Sequence, residues 1–192
     1  MSDRKGVAVP LVAGAIVVAL LLPSVASAVE GRYAFTGGTP RERTEVVRAL
    51  GASTFDWGLV RARVTIHIDR GMLSSAAPGE IWLDANLLDA GKFAWGVVQH
   101  EYAHEVDFFL LTAASRALLL AQLGGSTWCA DGFVAHSSLG CERFASTLAW
   151  AYWPSADNCM RPASNRPTSR VGFRHLLGRL IGARALGVEG KR

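Results

Sequence analysis

The feature that most constrains this chain is an apolar helical segment that carries several ionisable side chains. The large apolar residues of this segment recur at the spacing of one helix face: Trp95, Val98, Tyr102, Val106 and Phe109. This pattern predicts a helix over residues 93–111 with little polar surface, packed at the centre of the fold. The same segment contains the sequence His-Glu-Tyr-Ala-His over residues 100–104. Ionisable groups are costly to bury unless they are paired, so the segment predicts a polar site inside the core.

The histidine spacing indicates what that site binds. His100 and His104 are four residues apart, so on a helix they lie on one face, one turn apart. Both imidazoles can then reach one zinc ion at about 2.0–2.1 Å. Glu101 leans toward the same ion and can take a proton from a zinc-activated water. The pattern therefore predicts a Zn²⁺ site with Glu101 as catalytic base. The alternative is a pair of hydrogen-bonded core histidines, which would leave the Glu101 carboxylate buried and unpaired.

A catalytic zinc site also needs a third protein ligand and an open fourth position. Glu142 is the preferred ligand, because it begins a predicted helix over residues 141–153 that would hold it rigidly. Ala145 would let that helix pack close to the first. The rival ligands are His136, Asp131 and His67. Of these, His67 lies on a predicted strand and is expected to face solvent.

Three further residues are candidates for supporting roles. Asp107 shares a helix face with both histidines, so it could accept the N–H of a ligand imidazole, or it could be an ordinary surface aspartate. Catalysis needs a hydrogen-bond donor for the developing oxyanion. His136 is the first candidate for that donor and Tyr152 the second, although spacing specifies neither.

Taken together, these motifs resemble those of a known family. The residues His-Glu-Tyr-Ala-His-Glu-Val-Asp, followed by Cys-Glu-Arg-Phe-Ala with its glutamate 38 positions after His104, look like the gluzincins. Those are zinc proteases with two histidines and one glutamate as ligands. Within them the chain is most similar to the catalytic domain family of anthrax lethal factor. The resemblance implies a compact zincin-like domain with His100, His104 and Glu142 on the metal.

The resemblance covers residues 79–153 and also implies where the substrate binds. The predicted strand over residues 79–84 would border the cleft and pair with an extended peptide. The sequence departs from the family at two places. Ala103 stands where the family has glycine, and Ala135 and His136 stand where it has a tyrosine donor.

Patterning on either side of these motifs predicts the rest of the fold. A helix over residues 41–50 is expected after Thr39 as N-cap and Pro40 at the first position. Residues 61–70 alternate as a half-buried strand, and residues 79–84 form a second strand. The segments without regular structure are the loops 72–78 and 126–140 and the linker 155–168, and the later helices are 113–123, 141–153 and 169–185. This order predicts an α+β domain with a small antiparallel sheet beside the active-site helix and further C-terminal helices.

The N-terminal residues predict export. Arg4 and Lys5 precede an apolar run, and Ala26-Ser27-Ala28 has the small-residue pattern of a signal-peptidase site. The alternative is an uncleaved membrane anchor, since the apolar stretch over residues 6–28 is long enough to span a bilayer. We therefore expect a signal peptide over residues 1–28, a metallopeptidase domain over 29–160 and a basic tail over 161–192. The protein would be secreted or extracytoplasmic, or membrane-anchored in the alternative case.

In an exported protein, two of the three cysteines are expected to pair. A disulfide between Cys129 and Cys141 is favoured, because it would tie a loop to the helix that carries Glu142. A bond from Cys159 to either partner is the alternative. Metal binding by the three thiols is disfavoured, since no C-x-x-C spacing is present.

Positive charge is concentrated at the C-terminus. Residues 161–192 contain eight Lys or Arg and one acidic residue, a net charge of +7. The overall net charge is +4, so the other 160 residues carry −3. Without interleaved aromatic residues this pattern does not favour a nucleic-acid partner. The helix predicted over residues 169–185 is expected either to pack on the domain or to contact an anionic envelope surface.

These observations favour one function over two others. The first is a secreted zinc-dependent metalloendopeptidase that hydrolyses protein or peptide substrates. The second is a catalytically inactive zinc-binding protein of the envelope or cell wall, which the intact Glu101 disfavours. The third is a structural protein without metal.

Overall fold

The computed structural model describes residues 33–129, 135–162 and 169–182. These residues form an α+β domain with a small mixed sheet and further helices toward the C-terminus, so the predicted class is confirmed. The predicted signal peptide, Asp131 and the last ten residues lie outside the described ranges. No helix within those ranges is long and apolar enough to cross a membrane.

The sheet has four strands in the order β1-β2-β4-β3. These are β1 (Tyr33–Gly37), β2 (Val64–Asp69), β3 (Ser75–Ala77) and β4 (Glu80–Asp84). The strands β1 and β4 both run parallel to β2, and only β3 is antiparallel to its neighbour. The sheet is therefore mixed, and the prediction of an antiparallel sheet was wrong. The helix between β1 and β2 returns the chain to the end of the sheet at which β1 begins, as a parallel pair of strands requires.

Two of these strands were missing from the sequence prediction. The strand β1 is only five residues long, which is too short for a clear alternation of apolar and polar residues. Small residues alone make up β3, inside the segment predicted as a loop, and such residues have weak strand preference. Pairing with neighbouring strands, rather than local pattern, places both segments in the sheet.

The position of β4 corrects a second expectation. This strand pairs with β2 on one side and with β3 on the other. Both of its edges are used, so β4 cannot pair with a substrate as the resemblance implied. The edge strand on this side of the sheet is β3, and an added strand would have to pair with it.

Six helices are present in the described ranges: α1 (Pro40–Ala52), α2 (Ala85–Leu88), α3 (Lys92–Leu110), α4 (Ala113–Leu123), α5 (Gly140–Tyr152) and α6 (Arg170–Ile181). As predicted, Thr39 caps α1, and it forms a reciprocal capping box with Glu42. A short turn of 3-10 helix, His136–Ser138, precedes α5 in the segment predicted as loop. The last helix ends at Ile181, where Gly182 adopts a φ of +102°, and not at Ala185 as predicted.

The longest helix, α3, lies at the centre of the domain, as predicted. It packs against α1, α5 and the sheet strands β3 and β4. Every residue from Val98 to Asp107 is buried, so this part of α3 is covered on all sides and not on one face alone. Phe109 is 43% exposed, contrary to its predicted place in the core. The polar residues of α3 are therefore held inside protein, where each needs a partner.

Candidate metal centre

The candidate site lies where α3 meets the first turn of α5. α3 supplies His100 and His104, one turn apart, and α5 supplies Glu142. Both histidines are buried, and the Glu142 side chain is 12% exposed. Ala103 and Ala145 are fully buried in the core, and small residues of this kind allow two helices to pack closely. His104 and Glu142, which are 38 positions apart in sequence, are thereby brought to one point.

The three side chains present their donor atoms as a compact triangle. Nε2 of His100 lies 3.3 Å from Nε2 of His104 and 3.1 Å from Oε2 of Glu142. Nε2 of His104 lies 3.5 Å from Oε1 of Glu142. Three ligands at 2.0–2.1 Å from a tetrahedral zinc ion would be about 3.3 Å apart. The side chains therefore fit zinc both in the type of donor and in the size of the triangle.

The three side chains of the triangle shift one another's pKa values. Burial lowers the pKa of His100, and the Glu142 carboxylate only partly opposes this. Burial also acts to lower the pKa of His104, but the hydrogen bond and charge of Glu142 outweigh it and the net pKa is raised. For Glu142 itself, burial acts to raise the pKa, yet the two imidazoles hold it well below its usual range. Glu142 is therefore a carboxylate at neutral pH, the form that binds metal.

Glu101 lies beside the triangle, directly after His100. Its side chain is almost fully buried. Burial raises the pKa of Glu101 to about 7, with the charge of His104 opposing and that of Glu142 adding to the shift. A carboxyl group with a pKa near neutrality is well suited to take up and release a proton.

The imidazole of His100 has a second partner that the sequence analysis missed. Its Nδ1 lies 3.1 Å from the hydroxyl of Ser146, which belongs to α5. Such a bond orients the ring and would determine which nitrogen is free to bind a metal. Ser146 is four residues after Glu142 and thus on the same face of α5, a spacing that could have identified it.

Asp107 has neither of the roles considered for it. It is 1% exposed, so it is not a surface residue. Its carboxylate accepts from Arg116 Nε at 2.7 Å and from Trp128 Nε1 at 2.9 Å, not from a ligand imidazole. It joins α3 to α4 and to the segment that precedes the disulfide. The helix-face argument could not foresee these two distant donors.

Of the remaining candidates that the structure describes, His136 alone is found at the site. Its Nε2 lies 2.6 Å from Oε2 of Glu142, and its side chain is 78% exposed. Because it is largely exposed and lies next to the third member of the triangle, it is at the solvent side of the site. Glu142, and not His136, completes the compact group of donors.

The two other described candidates lie away from the triangle. Tyr152 is ten residues after Glu142, about 15 Å further along the helix. It is fully buried against Phe55 and Arg174, which excludes it as the oxyanion donor. His67 pairs with Glu80 and stacks on Trp82 at the sheet, where it is half-buried.

The start of α5 is fixed by the preceding chain. A disulfide joins Cys129 to Cys141, the residue before Glu142, as predicted. The helix has no side-chain N-cap; instead, Gly140 N–H donates to Thr127 O and Cys141 N–H donates to Trp128 O. A Cβ at position 140 would lie 2.9 Å from Cε3 of the Trp128 ring and 3.2 Å from Thr127 O, so this close approach favours glycine. Cys159 is free, and its thiol contacts Phe93 O.

Comparison with known proteins adds no relative. No family model matches this chain, and no match was found among curated proteins or solved structures. The resemblance to gluzincins therefore rests on the motifs and stays a prediction.

Proposed function

We propose that this protein is a zinc-dependent metalloendopeptidase that acts outside the cytoplasm. The observation that carries the proposal is the triangle of His100, His104 and Glu142 donors, at the spacing expected for tetrahedral zinc. Glu101 stands beside that triangle as the H-E-x-x-H pattern requires of a catalytic base.

Each residue has a distinct part in this proposal. Zinc held by the triangle would lower the pKa of a bound water and polarise the scissile carbonyl. The Glu101 carboxylate takes a proton from the attacking water and returns it to the departing amine. Ser146 holds the ring of His100 in place. We assign the hydrogen bond to the developing oxyanion to His136, because it is exposed at the solvent side of the site next to Glu142.

The substrate we propose is an extended peptide that adds to the sheet at β3. This strand packs against α3, and among the described strands none pairs with its outer side. An extended peptide can use such an edge for backbone hydrogen bonds. This replaces β4 with β3 as the substrate-binding strand.

Two features support an extracytoplasmic location. The Cys129–Cys141 disulfide is of a kind that persists in oxidising compartments. The N-terminal 28 residues have the sequence pattern of a signal peptide.

The function is tested by metal analysis and hydrolysis of casein by the purified protein. We expect one zinc per chain, casein cleavage, and loss of cleavage on chelation with recovery when zinc is restored. His104→Ala should lose the metal, whereas Glu101→Gln should keep metal and fold but lose activity by at least about 100-fold. Glu80→Gln, which alters an acid on the sheet, is the matched control and should stay active. Bound zinc without cleavage would favour the inactive binding protein, and absence of zinc would overturn the proposal.

The choice of third ligand is tested by comparing two variants. Glu142→Ala should weaken zinc binding by more than about 100-fold, because a ligand should cost more than a residue that only orients one. His136→Ala should weaken it by less than about tenfold. A competition assay with a chelating dye measures both. The reverse order would make His136 the ligand.

A further inference from the structure

Glu105 is a buried acidic residue to which the proposed chemistry gives no part. It follows His104 directly, so on α3 it points about 100° away from that ligand. Its side chain has no exposed surface. One carboxylate oxygen, Oε2, accepts a hydrogen bond from Gly79 N–H at 2.9 Å. The other, Oε1, has no hydrogen-bond partner among the described residues. A buried carboxylate held by a single hydrogen bond is costly, which calls for a reason.

The partner of Glu105 lies at the turn that joins β3 to β4. Gly79 has a φ of +81°, in the left-handed region that favours glycine. Its carbonyl accepts from Thr65 N–H at 2.8 Å, and its N–H donates to Glu105. The turn is thus bonded to the sheet through one group and to the active-site helix through the other.

The hydrogen bond between Glu105 and Gly79 matters most for the position of β3. Only three residue pairs join β3 to β4. β4 is held independently, because it also forms a parallel ladder with β2. Among the described residues, the Glu105 bond is the one side-chain hydrogen bond between the β3–β4 turn and the helix that carries His100 and His104.

We propose that Glu105 is a positioning residue, which holds β3 so that a peptide paired with this strand presents its backbone to the metal centre. The inference rests on the proposed function. Glu105 contacts no substrate atom and acts through the β3–β4 turn. Its loss should therefore weaken binding of peptides long enough to lie along β3, and should leave the chemical step and the metal in place.

The test compares substrates of two lengths on the full chain loaded with zinc. The site most readily cleaved in casein is found by mass spectrometry and made as an eight-residue and a four-residue peptide. Glu105→Ala should raise KM for the longer peptide about tenfold, with kcat within about twofold and zinc content unchanged. The shorter peptide should show little change in kcat/KM. Glu105→Gln keeps an acceptor oxygen for Gly79 N–H and should restore KM to within about twofold of the wild type.

The matched control is Glu45→Ala. Glu45 accepts a bond from Trp95 Nε1 at 2.9 Å, so it ties α1 to the same helix α3 without touching the edge strand. Its loss should leave KM for both peptides unchanged. If Glu105→Ala does not fold, Glu105→Asp, one methylene shorter, is expected to raise KM for the longer peptide in the same direction.

The outcomes separate this inference from the proposed function. If the wild type cleaves casein but folded Glu105→Ala, or Glu105→Asp in its place, keeps the wild-type KM for the longer peptide, the positioning role is overturned and the proposed function stands. If the zinc-loaded wild type cleaves no peptide, both fail. A KM that rises equally for both peptides would show a general loss of structure and would also overturn the positioning role.

Discussion

The two ends of α5 are held by different means, and the contrast separates function from stability. At the N-terminal end, Glu142 faces His100, His104 and His136, and a disulfide fixes the residue before it. At the C-terminal end, no member of the candidate site is present, and neighbouring segments satisfy the carbonyls of the last turn. One helix therefore carries a candidate metal ligand at its start and provides a structural support at its other end.

Four side chains donate hydrogen bonds to the backbone carbonyls at the C-terminal end of α5. The donors are Thr54 to Tyr152 O, Asn158 to Ala149 O and Trp153 O, Arg170 to Trp150 O, and Arg174 to Ala151 O. Two of these donors are cations, which also interact favourably with the negative end of the helix dipole. This explains part of the basic tail, since two of its arginines turn inward onto the domain and not outward to an anionic surface. Binding of the tail to such a surface stays a prediction.

If the comparison is right, changes at the C-terminal end should lower stability and leave zinc affinity unchanged. The largest such effect is expected for Asn158→Ala. Asn158 is 1% exposed, donates to two carbonyls, and accepts from Met160 N–H at 2.9 Å. Loss of three hydrogen bonds made by a fully buried side chain should cost about 3–4 kcal/mol.

Denaturant unfolding measures this loss, and dye competition measures zinc affinity of the folded protein. The exposed neighbour Asp157 provides the control, since Asp157→Ala should change stability by less than about 0.5 kcal/mol. A zinc affinity that fell in parallel with stability would break the separation between the two ends.

Removal of the disulfide should affect both properties. Cys129→Ser with Cys141→Ser opens a short loop, which should cost about 3 kcal/mol. It also frees the start of α5, so zinc affinity should fall about 10–100-fold, as for other residues that orient a ligand. Cys159→Ser is the control and should change neither. Wild-type affinity in the double variant would mean that helix packing alone positions Glu142.

The sequence predicted the parts of this molecule that depend on short-range pattern. Spacing within one helix turn predicted that the two histidines of the H-E-x-x-H motif lie together. Spacing within one helix predicted the bounds of α4 and the cap of α1 by Thr39. The convergence of Glu142 on the two histidines is present in the structure, while the identity of the metal stays a prediction. The features that were missed depend on distant partners. The strand β3 exists through pairing with β4, and Asp107 is held by Arg116 and Trp128 from other segments.

The smallest effect is expected at Arg174, where it tests how the charged tail supports the domain. Its guanidinium donates to Ala151 O through two nitrogens and lies over the ring of Tyr152, 4.9 Å from its centroid. Arg174→Met keeps an apolar stem but removes a charged donor, so it should cost about 2 kcal/mol, with zinc affinity unchanged. Arg174→Lys keeps the charge but loses the planar guanidinium that donates through two nitrogens, so it should recover less than half of that loss.

Arg179→Met is the matched control, because Arg179 is an exposed arginine of the same helix. Its replacement should change stability by less than about 1 kcal/mol. Equal losses at the two positions would mean that the tail stabilises the domain by its net charge. A loss confined to Arg174 would assign the effect to the hydrogen bonds at the end of α5.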